Sequence, residues 1–334
     1  MTAYIIRRLI QIPLVLFAVS VIIFFSLRLG PFDATALLQA GASNPEKVAE
    51  IRKEWGLTDP LMVQYFDYLK KVVRGDLGRS FSDNAPVRSV ILQRLPATIE
   101  LAVLGMLIGI VLGVSTGIAS AIRRDSWVDA LARGIGLLGI SLPGFWLGVM
   151  FISLFAVKLH WLPAGGRIDS QIDFKTHTGF YVVDGLIDGN LAVVRSALEH
   201  MVMPAIVLGL FIAGFVSRMT RTTLLETLGH DYIRTAYAKG ATRAQVIRGH
   251  ALRNALLPLV TISGLQFGLL LGGAAVAETV FAYPGMGKLL VDAIGVEDFP
   301  QIQASILIIA AIYCVANLVV DLIYPLVDPR VRLV

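Results

Sequence analysis

The segment Gly285-Met286-Gly287-Lys288 is the part of the chain closest in pattern to a nucleotide-binding loop. Such a loop has the form G-x-x-x-x-G-K-[ST], because its glycines let backbone N–H groups cradle phosphates and its Ser/Thr binds Mg²⁺. Here the first glycine is missing at the required spacing, and Leu289 stands where the Ser/Thr would be. The glycines therefore indicate a tight turn, and we expect no ATPase site in this chain.

Residues that bind metals or act as nucleophiles are few and scattered. The five histidines, at positions 160, 177, 200, 230 and 250, lie outside the long apolar runs, and Cys314 is the single cysteine. The chain has no H-E-x-x-H motif and no Cys/His spacing suited to a metal. The sequence therefore predicts no catalytic residues, no metal site and no enzyme.

Long apolar runs form the elements that must position any functional side chains of this chain. The chain of 334 residues is 56% apolar and 16% charged, whereas soluble domains contain about 25% charged residues. About 20 apolar residues cross a hydrocarbon core. The sequence therefore predicts an all-α polytopic membrane protein with six transmembrane helices, in the runs Leu9–Leu27, Leu101–Ile122, Gly134–Val157, Met201–Ser217, Asn254–Ala277 and Phe299–Val320.

The distribution of basic residues predicts the orientation of these spans. Arginine and lysine are concentrated in the N-terminal segment and in the short loops 123–133 and 218–253. Because cytoplasmic loops carry an excess of Lys and Arg, we expect these loops and both termini to be cytoplasmic. The net charge of +5 thus reflects orientation and lipid contact, not nucleic-acid binding.

The same pattern predicts how the chain is divided. A helix is expected at Pro45–Trp55 and another at Leu61–Val73, with Asp59 as N-cap and Pro60 as the first helical residue. The predicted parts are the first transmembrane helix at 1–29, a small periplasmic or extracellular subdomain at 30–94, a transmembrane core at 95–327 and a tail at 328–334. Within the core, the predicted spans are 97–122, 134–157, 199–217, 254–277 and 299–323, and the predicted coupling loop is 218–256.

Polar or helix-breaking residues interrupt three of the spans. Ser141 precedes Leu-Pro-Gly in the third span, Gln266 lies in the fifth, and Asn317 lies in the sixth. These residues are candidates for lining a polar pathway. The alternatives are a structural kink at the proline and hydrogen bonds between helices. No run contains a charged residue or a histidine, so the proton or sodium relay of an ion-driven transporter is missing.

The loop at 218–256 is the most organised polar part of the chain. Gly229 ends one helix, Asp231 is a candidate N-cap for a short second helix, and that helix is predicted to reach about Lys239, with Gly240 just after its end. Since the chain has neither a motor nor an ion relay, this helix is a candidate docking site for a motor protein encoded by another polypeptide. The alternative is that it lies on anionic lipid headgroups.

Ordered short motifs along nearly the whole chain resemble the permease subunits of binding-protein-dependent ABC importers, most closely the dipeptide/oligopeptide group. In the basic loop they are Arg221-x-x-x-Leu-Glu226, Asp231-Tyr-Ile-Arg-Thr-Ala, Ala238-Lys-Gly240, His250-Ala-Leu-Arg-Asn254 and Leu257-Pro258. Elsewhere they include Gly56-Leu-Thr-Asp-Pro60, Gly75-Asp-Leu-Gly-Arg-Ser80, Glu278-Thr-Val-Phe-x-x-Pro-Gly-Met-Gly287 and Asp328-Pro-Arg330.

This resemblance implies a type I ABC importer permease fold and a set of partners. They are a second homologous permease subunit, two cytoplasmic ATPase subunits that bind the ATP and Mg, a substrate-binding receptor and membrane lipid; no cofactor is implied for this chain itself. The ATPase-coupling residues implied are Tyr232, Arg234, Thr235, Ala236, Lys239 and Gly240. The outer gate or receptor loop implied contains Glu278, Phe281, Pro284, Gly285 and Gly287.

The resemblance also implies a function, which is ATP-driven import of di- or oligopeptides across the cytoplasmic membrane of a prokaryote. Alternatives within the family are nickel, glutathione or another small solute, and the rival from another class is an ion-driven secondary transporter. Two features depart from the family pattern. Tyr237 occupies a position that is often basic, and Gly30-Pro-Phe-Asp-Ala34 replaces the usual Pro-Gly-Asp-Pro.

Overall fold

The described part of the chain is entirely helical in its regular structure. The computed structural model describes residues 2–29 and 58–327, and these residues form no strand, which confirms the all-α prediction. The helices are α1 Thr2–Leu29, α2 Leu61–Val73, α3 Val87–Ile122, α4 Trp127–Ser141, α5 Gly144–Phe151, α6 Tyr181–Ile187, α7 Leu191–Leu228, α8 Asp231–Ala238, α9 Arg243–Val246, α10 Leu252–Val280, α11 Met286–Gly295 and α12 Phe299–Val327, with π-helical turns at Ile152–Lys158 and Ile247–Ala251.

The pair α3 and α7 forms the centre of the structure. Four glycines spaced four residues apart on α3 each face one side chain of α7, and the facing α7 residues are also four apart. A Cβ added at Gly109 would lie 2.6 Å from the Cβ of Ile212, and one at Gly113 would lie 2.6 Å from that of Val216. Small residues let helix backbones approach closely. The contacting pairs are Gly105 and Leu208, Gly109 and Ile212, Gly113 and Val216, and Gly117 and Thr220.

The predicted interruption of the third span is confirmed, and it is a sharp break. The helices α4 and α5 meet at Leu142-Pro143 with a bend of 104° between them. Proline lacks an N–H and its ring clashes with the preceding turn, so α4 ends at Ser141. Before the break, α4 begins about two turns earlier than the predicted span, because the Ser126 side chain accepts a hydrogen bond from the N–H of Asp129.

Among the residues that the structure describes, four helices are long and apolar enough to cross a membrane, and the bent pair α4–α5 would be a fifth. The four are Ile6–Leu29 of α1, α3, α7 and Phe299–Leu322 of α12. The fifth predicted span, at 254–277, falls within α10. The count of six spans and the division of the chain into domains stay predictions. The helix that carries the predicted span 199–217 continues to Leu228, in agreement with the helix end expected at Gly229.

In the C-terminal half of α1, α2 packs against the helix through aromatic and polar contacts. The buried Tyr65 ring lies against Phe24, and its hydroxyl is 3.0 Å from Ser20 Oγ. The Arg28 Nε donates to Gln64 Oε1 at 2.9 Å. The predicted helix Leu61–Val73 is confirmed, but its N-cap is Pro60, not Asp59, because Pro60 keeps an extended ψ of 140° and helical geometry begins one residue later.

Three predicted features lie wholly or partly outside the described residues. The expected helix Pro45–Trp55 and the tail at 328–334 lie wholly outside them. Only the second half of the expected subdomain at 30–94 is described, so that subdomain stays a prediction.

Candidate coupling and gating sites

The predicted coupling helix is α8, which follows α7 after a single turn. Gly229 is the C-cap of α7, so the predicted end of that helix is confirmed. The N-cap of α8 is His230, whose backbone is extended and whose side chain caps no N–H group. The prediction that Asp231 is the cap was wrong, because Asp231 already has helical geometry as the first residue of α8. The His230 ring instead stacks on Tyr232, with ring centroids 5.6 Å apart.

One residue anchors α8 and the others face outward. Ile233 is 1% exposed and is the one buried residue of this helix. Ala236 is half-buried. The remaining predicted coupling residues are exposed: Tyr232, Arg234, Thr235, Lys239 and Gly240. A short helix held by one apolar side chain and exposing the rest is suited to docking against another protein.

Gly240 ends α8 in a conformation that favours glycine. Its φ is +86°, in the left-handed region, and its N–H donates to the carbonyl of Tyr237 at 2.9 Å. The N–H of Ala241 donates to the carbonyl of Ala236 at 3.1 Å. This pair of bonds closes the helix end and confirms the predicted position of Gly240. A Cβ at Gly240 would have no atom within 4 Å, so the backbone conformation alone demands the glycine.

A buried ion pair joins the base of α7 to α4 close to the coupling loop. Arg221 donates from Nε to Asp129 Oδ1 at 2.9 Å and from Nη2 to Oδ2 at 3.0 Å. Asp129 is fully buried and also accepts from Ser120 Oγ at the end of α3 and from the N–H of Asp125. Three helices therefore meet at one carboxylate.

The coupling loop is joined to the same region by a further contact. After α8, the Arg243 Nη2 donates to the carbonyl of Ile122 at 2.6 Å, at the end of α3. Arg221 belongs to a motif that the sequence shares with the family, whereas no motif pointed to Asp129 or Ser120. The sequence signal that was available is the position of Asp129. This acid lies three residues after the helix-capping Ser126 and four residues before Arg133.

The predicted outer gate is built around a buried carboxylate. Glu278 is 0% exposed. It accepts from Thr98 Oγ1 at 2.6 Å and from the N–H of Lys288 at 2.9 Å, while the N–H of Met286 donates to Thr98 Oγ1 at 2.7 Å. The loop after α10 is thereby tied to the first turns of α3. A side chain at Gly285 would collide with the Glu278 carboxylate, which explains the glycine.

The other predicted gate residues are also packed inside the protein. Phe281 is 1% exposed, and its carbonyl accepts from the N–H of Gly166 at 2.9 Å. Gly287 is buried against Ala275 of α10, and Pro284 is half-buried. The structure thus brings these predicted residues together as a packed junction. Contact of this loop with a receptor stays a prediction.

A second polar contact near this junction was missed by the sequence analysis. Arg167 and Glu100 are both more than nine-tenths buried, and Arg167 Nη2 donates to Glu100 Oε2 at 2.7 Å. The guanidinium carbon lies 3.7 Å from the centroid of the Tyr181 ring. No sequence motif links these positions, which are brought together only by the fold.

The three candidate pathway residues lie in different surroundings. Ser141 is exposed at the end of α4, beside the break. Gln266 is buried in α10, and its Oε1 has no hydrogen-bond partner among the described residues. Asn317 lines a cavity of about 470 Å³ between α1, α10 and α12, next to the ion pair of Arg8 with Asp321. Their role in a pathway therefore stays a prediction.

Comparison with known proteins decides the family. The family described as binding-protein-dependent transport system inner membrane component matches residues 93–333, and the corresponding N-terminal family matches residues 1–102. The chain belongs to this family. It is a permease subunit of an ABC importer, in the dipeptide group, as the sequence motifs indicated.

Several relatives match the permease over its full length. The dipeptide transport system permease protein DppB of Alkalihalophilus pseudofirmus is 41% identical and covers 99% of this chain and 100% of its own. The di/tripeptide transport system permease protein DppB of Pseudomonas aeruginosa is 40% identical, with 99% of both chains covered. The probable D,D-dipeptide transport system permease protein DdpB of Escherichia coli is 42% identical, with 97% and 96% covered.

A solved structure shares the fold of the permease. The MetNI methionine ABC transporter in an inward-facing conformation matches with a TM-score of 0.54 and 19% identity, over 73% of this chain and 98% of that chain. At this identity the likeness shows the fold alone. It confirms the expected type I importer permease fold.

Proposed function

We propose that this permease carries peptides across the cytoplasmic membrane of a prokaryote and is driven by ATPases that dock on α8. It works with a second homologous permease subunit, two ATPase subunits and a substrate-binding receptor. The ATP and Mg are bound by the ATPase subunits, and this chain contributes no ATPase site. Both of its termini are cytoplasmic.

The observation that carries the coupling role is the geometry of α8. Only Ile233 is buried in this helix, while Tyr232, Arg234 and Thr235 are exposed. The helix is joined to the transmembrane region through α7 on one side and through the Arg243 contact with Ile122 on the other. A displacement of α8 is therefore passed to α3 and α7 as a movement of packed helices, which is the kind of rigid-body change that gates transporters.

The junction around Glu278 is the proposed outer end of this movement. It ties α10 and α11 to α3 through hydrogen bonds of 2.6 to 2.9 Å. The helix α3 also contacts α7 along Gly105, Gly109, Gly113 and Gly117, here called the glycine stripe. A shift of α7 near α8 therefore reaches this junction through one continuous helix pair.

The peptide substrate is supported by the relatives. Those with about 40% identity over their full length are described as transporting dipeptides, di/tripeptides or D,D-dipeptides. Import of nickel or glutathione is not favoured by these relatives.

Reconstitution of the complete transporter tests this proposal. Proteoliposomes containing this chain, its partner permease and the ATPases, supplied with receptor and a labelled dipeptide, are expected to take up peptide only with ATP and Mg present. Dissipating the ion gradients with ionophores is expected to leave uptake unchanged. Uptake by this chain alone under a proton or sodium gradient would show that it is a secondary transporter and would overturn the proposal.

A further inference from the structure

A cavity of about 240 Å³ lies between α4 and α7, at the end of the helix bundle that carries α8. Its walls combine hydroxyl groups with three guanidinium groups. The lining includes Ser120, Arg133, Ser217, Arg218, Arg221 and Thr222. None of the predicted coupling, gate or pathway residues lines it.

The charges around this cavity do not balance among the described residues. Arg221 and Arg133 both contact Asp129, so two guanidinium groups share one carboxylate. Arg218 forms no hydrogen bond or ion pair with any residue in the described part of the chain, and it is exposed. Asp125 also attracts Arg221, but the three arginines that line the cavity outnumber these two carboxylates and leave an excess of positive charge that favours an anion. Guanidinium groups bind phosphate oxygens especially well.

The surface beside the cavity is apolar. Leu137 lines the cavity and is 57% exposed. Leu138 and Leu131, which lie about 100° and 120° around α4 from Leu137 at 3.6 residues per turn, are also exposed on the outward side of the helix. A free phosphate ion has no apolar part that could contact these side chains. An amphiphile with a phosphate headgroup and acyl chains would contact both the arginines and the leucines.

We propose that this cavity binds the phosphate group of an anionic phospholipid, whose acyl chains lie along α4. Basic pockets between transmembrane helices are known to hold anionic headgroups. In this site Arg218 supplies the charge that no described carboxylate neutralises, and Ser217 and Thr222 add hydroxyl donors for phosphate oxygens.

Lipid binding to the purified, assembled transporter tests the site. The delipidated complex is titrated with phosphatidylglycerol or phosphatidylcholine, and bound lipid is counted by native mass spectrometry. We expect wild type to prefer phosphatidylglycerol, and we expect Arg218→Gln to lower that preference about fivefold, the factor that one basic residue near an anionic headgroup contributes. Arg218→Lys, which keeps the charge, is expected to retain most of the preference.

A matched control separates this site from general attraction to basic loops. Arg124 lies at the same end of the molecule, its side chain is 65% exposed, and it does not line the cavity. Arg124→Gln should leave the preference near that of wild type. Equal losses in Arg124→Gln and Arg218→Gln would overturn the proposal. Displacement of phosphatidylglycerol by millimolar inorganic phosphate would also overturn it, because the site would then be one for a free anion.

Discussion

At the scale of single residues, Gly240 shows how the backbone rather than the available space determines the residue type. Its φ of +86° costs most L residues about 1–2 kcal/mol, with Asn tolerated better and β-branched residues worst. We expect Gly240→Val to distort the end of α8 and to lower peptide uptake per ATP hydrolysed, and Gly240→Asn to stay near wild type. Uptake and hydrolysis are measured in the same proteoliposomes. An unchanged ratio for Gly240→Val would refute the assignment of α8 as the coupling helix.

The buried pair of Asp129 with Arg221 predicts an asymmetry between two single substitutions. The Asp129 side chain is 0% exposed and that of Arg221 is 22% exposed. Replacing Arg221 leaves a buried carboxylate without its main partner, which costs about 3–5 kcal/mol. Replacing Asp129 leaves a guanidinium that already reaches solvent. We therefore expect Arg221→Gln to lower the Tm of the purified transporter more than Asp129→Asn does.

Arg133→Gln provides the control for that pair. The Arg133 side chain is 59% exposed and meets Asp129 at 3.4 Å, so its loss should cost at most about 1 kcal/mol, as for exposed ion pairs. If Arg133→Gln and Arg221→Gln lowered the Tm equally, the buried pair would have no special importance for stability.

At the scale of elements, the glycine stripe of α3 determines how closely α3 and α7 pack. A Cβ at Gly113 would lie 2.6 Å from Val216 Cβ and 3.0 Å from the carbonyl oxygen of Ala213, so even alanine forces the helices apart. We expect Gly113→Ala to destabilise the transporter by about 1–3 kcal/mol, as overpacking does, and to lower its Tm. Gly134→Ala is the matched control, since a Cβ there meets nothing within 4 Å. Equal Tm values for the two variants would contradict this packing.

Elements were more predictable from the sequence than the contacts between them. The apolar runs and the caps at Gly229 and Gly240 depend on residues close in the chain, and the structure confirms them. The four-residue spacing of glycines in α3 was also visible, but which helix it faces depends on tertiary packing. The same holds for Glu278 with Thr98, which are separated by 180 positions. Local chemistry therefore predicted the coupling loop better than the gate.

At the scale of the whole molecule, the bent pair α4–α5 must be either a broken span or a re-entrant loop, and its neighbours on α7 favour the span. Successive positions of the pair lie opposite α7 in the antiparallel direction from Arg221 to Val207, and Gly166, which follows the pair, lies opposite His200. The whole stretch of α7 from Arg221 to His200 is roughly 30 Å long at 1.5 Å per residue. That distance matches the thickness of the hydrocarbon core. The contacts in order are Asp129 with Arg221, Gly136 with Gly214, Gly139 with Leu210, Gly144 with Val207, and Gly166 with His200.

Labelling of single cysteines tests whether this pair crosses the membrane. In a Cys314→Ser background, Arg124→Cys precedes the pair, Gln171→Cys follows it, and Ala244→Cys lies after α8; all three positions are exposed. With the other subunits co-expressed, an impermeant maleimide should label Gln171→Cys in spheroplasts, and Arg124→Cys and Ala244→Cys only in inside-out vesicles. The Cys314→Ser chain without added cysteines gives the background. Labelling of positions 124 and 171 from the same side would mean that the pair is re-entrant. The break at Pro143 would then return the chain to the side from which it came, and an even number of spans with both termini cytoplasmic would no longer follow.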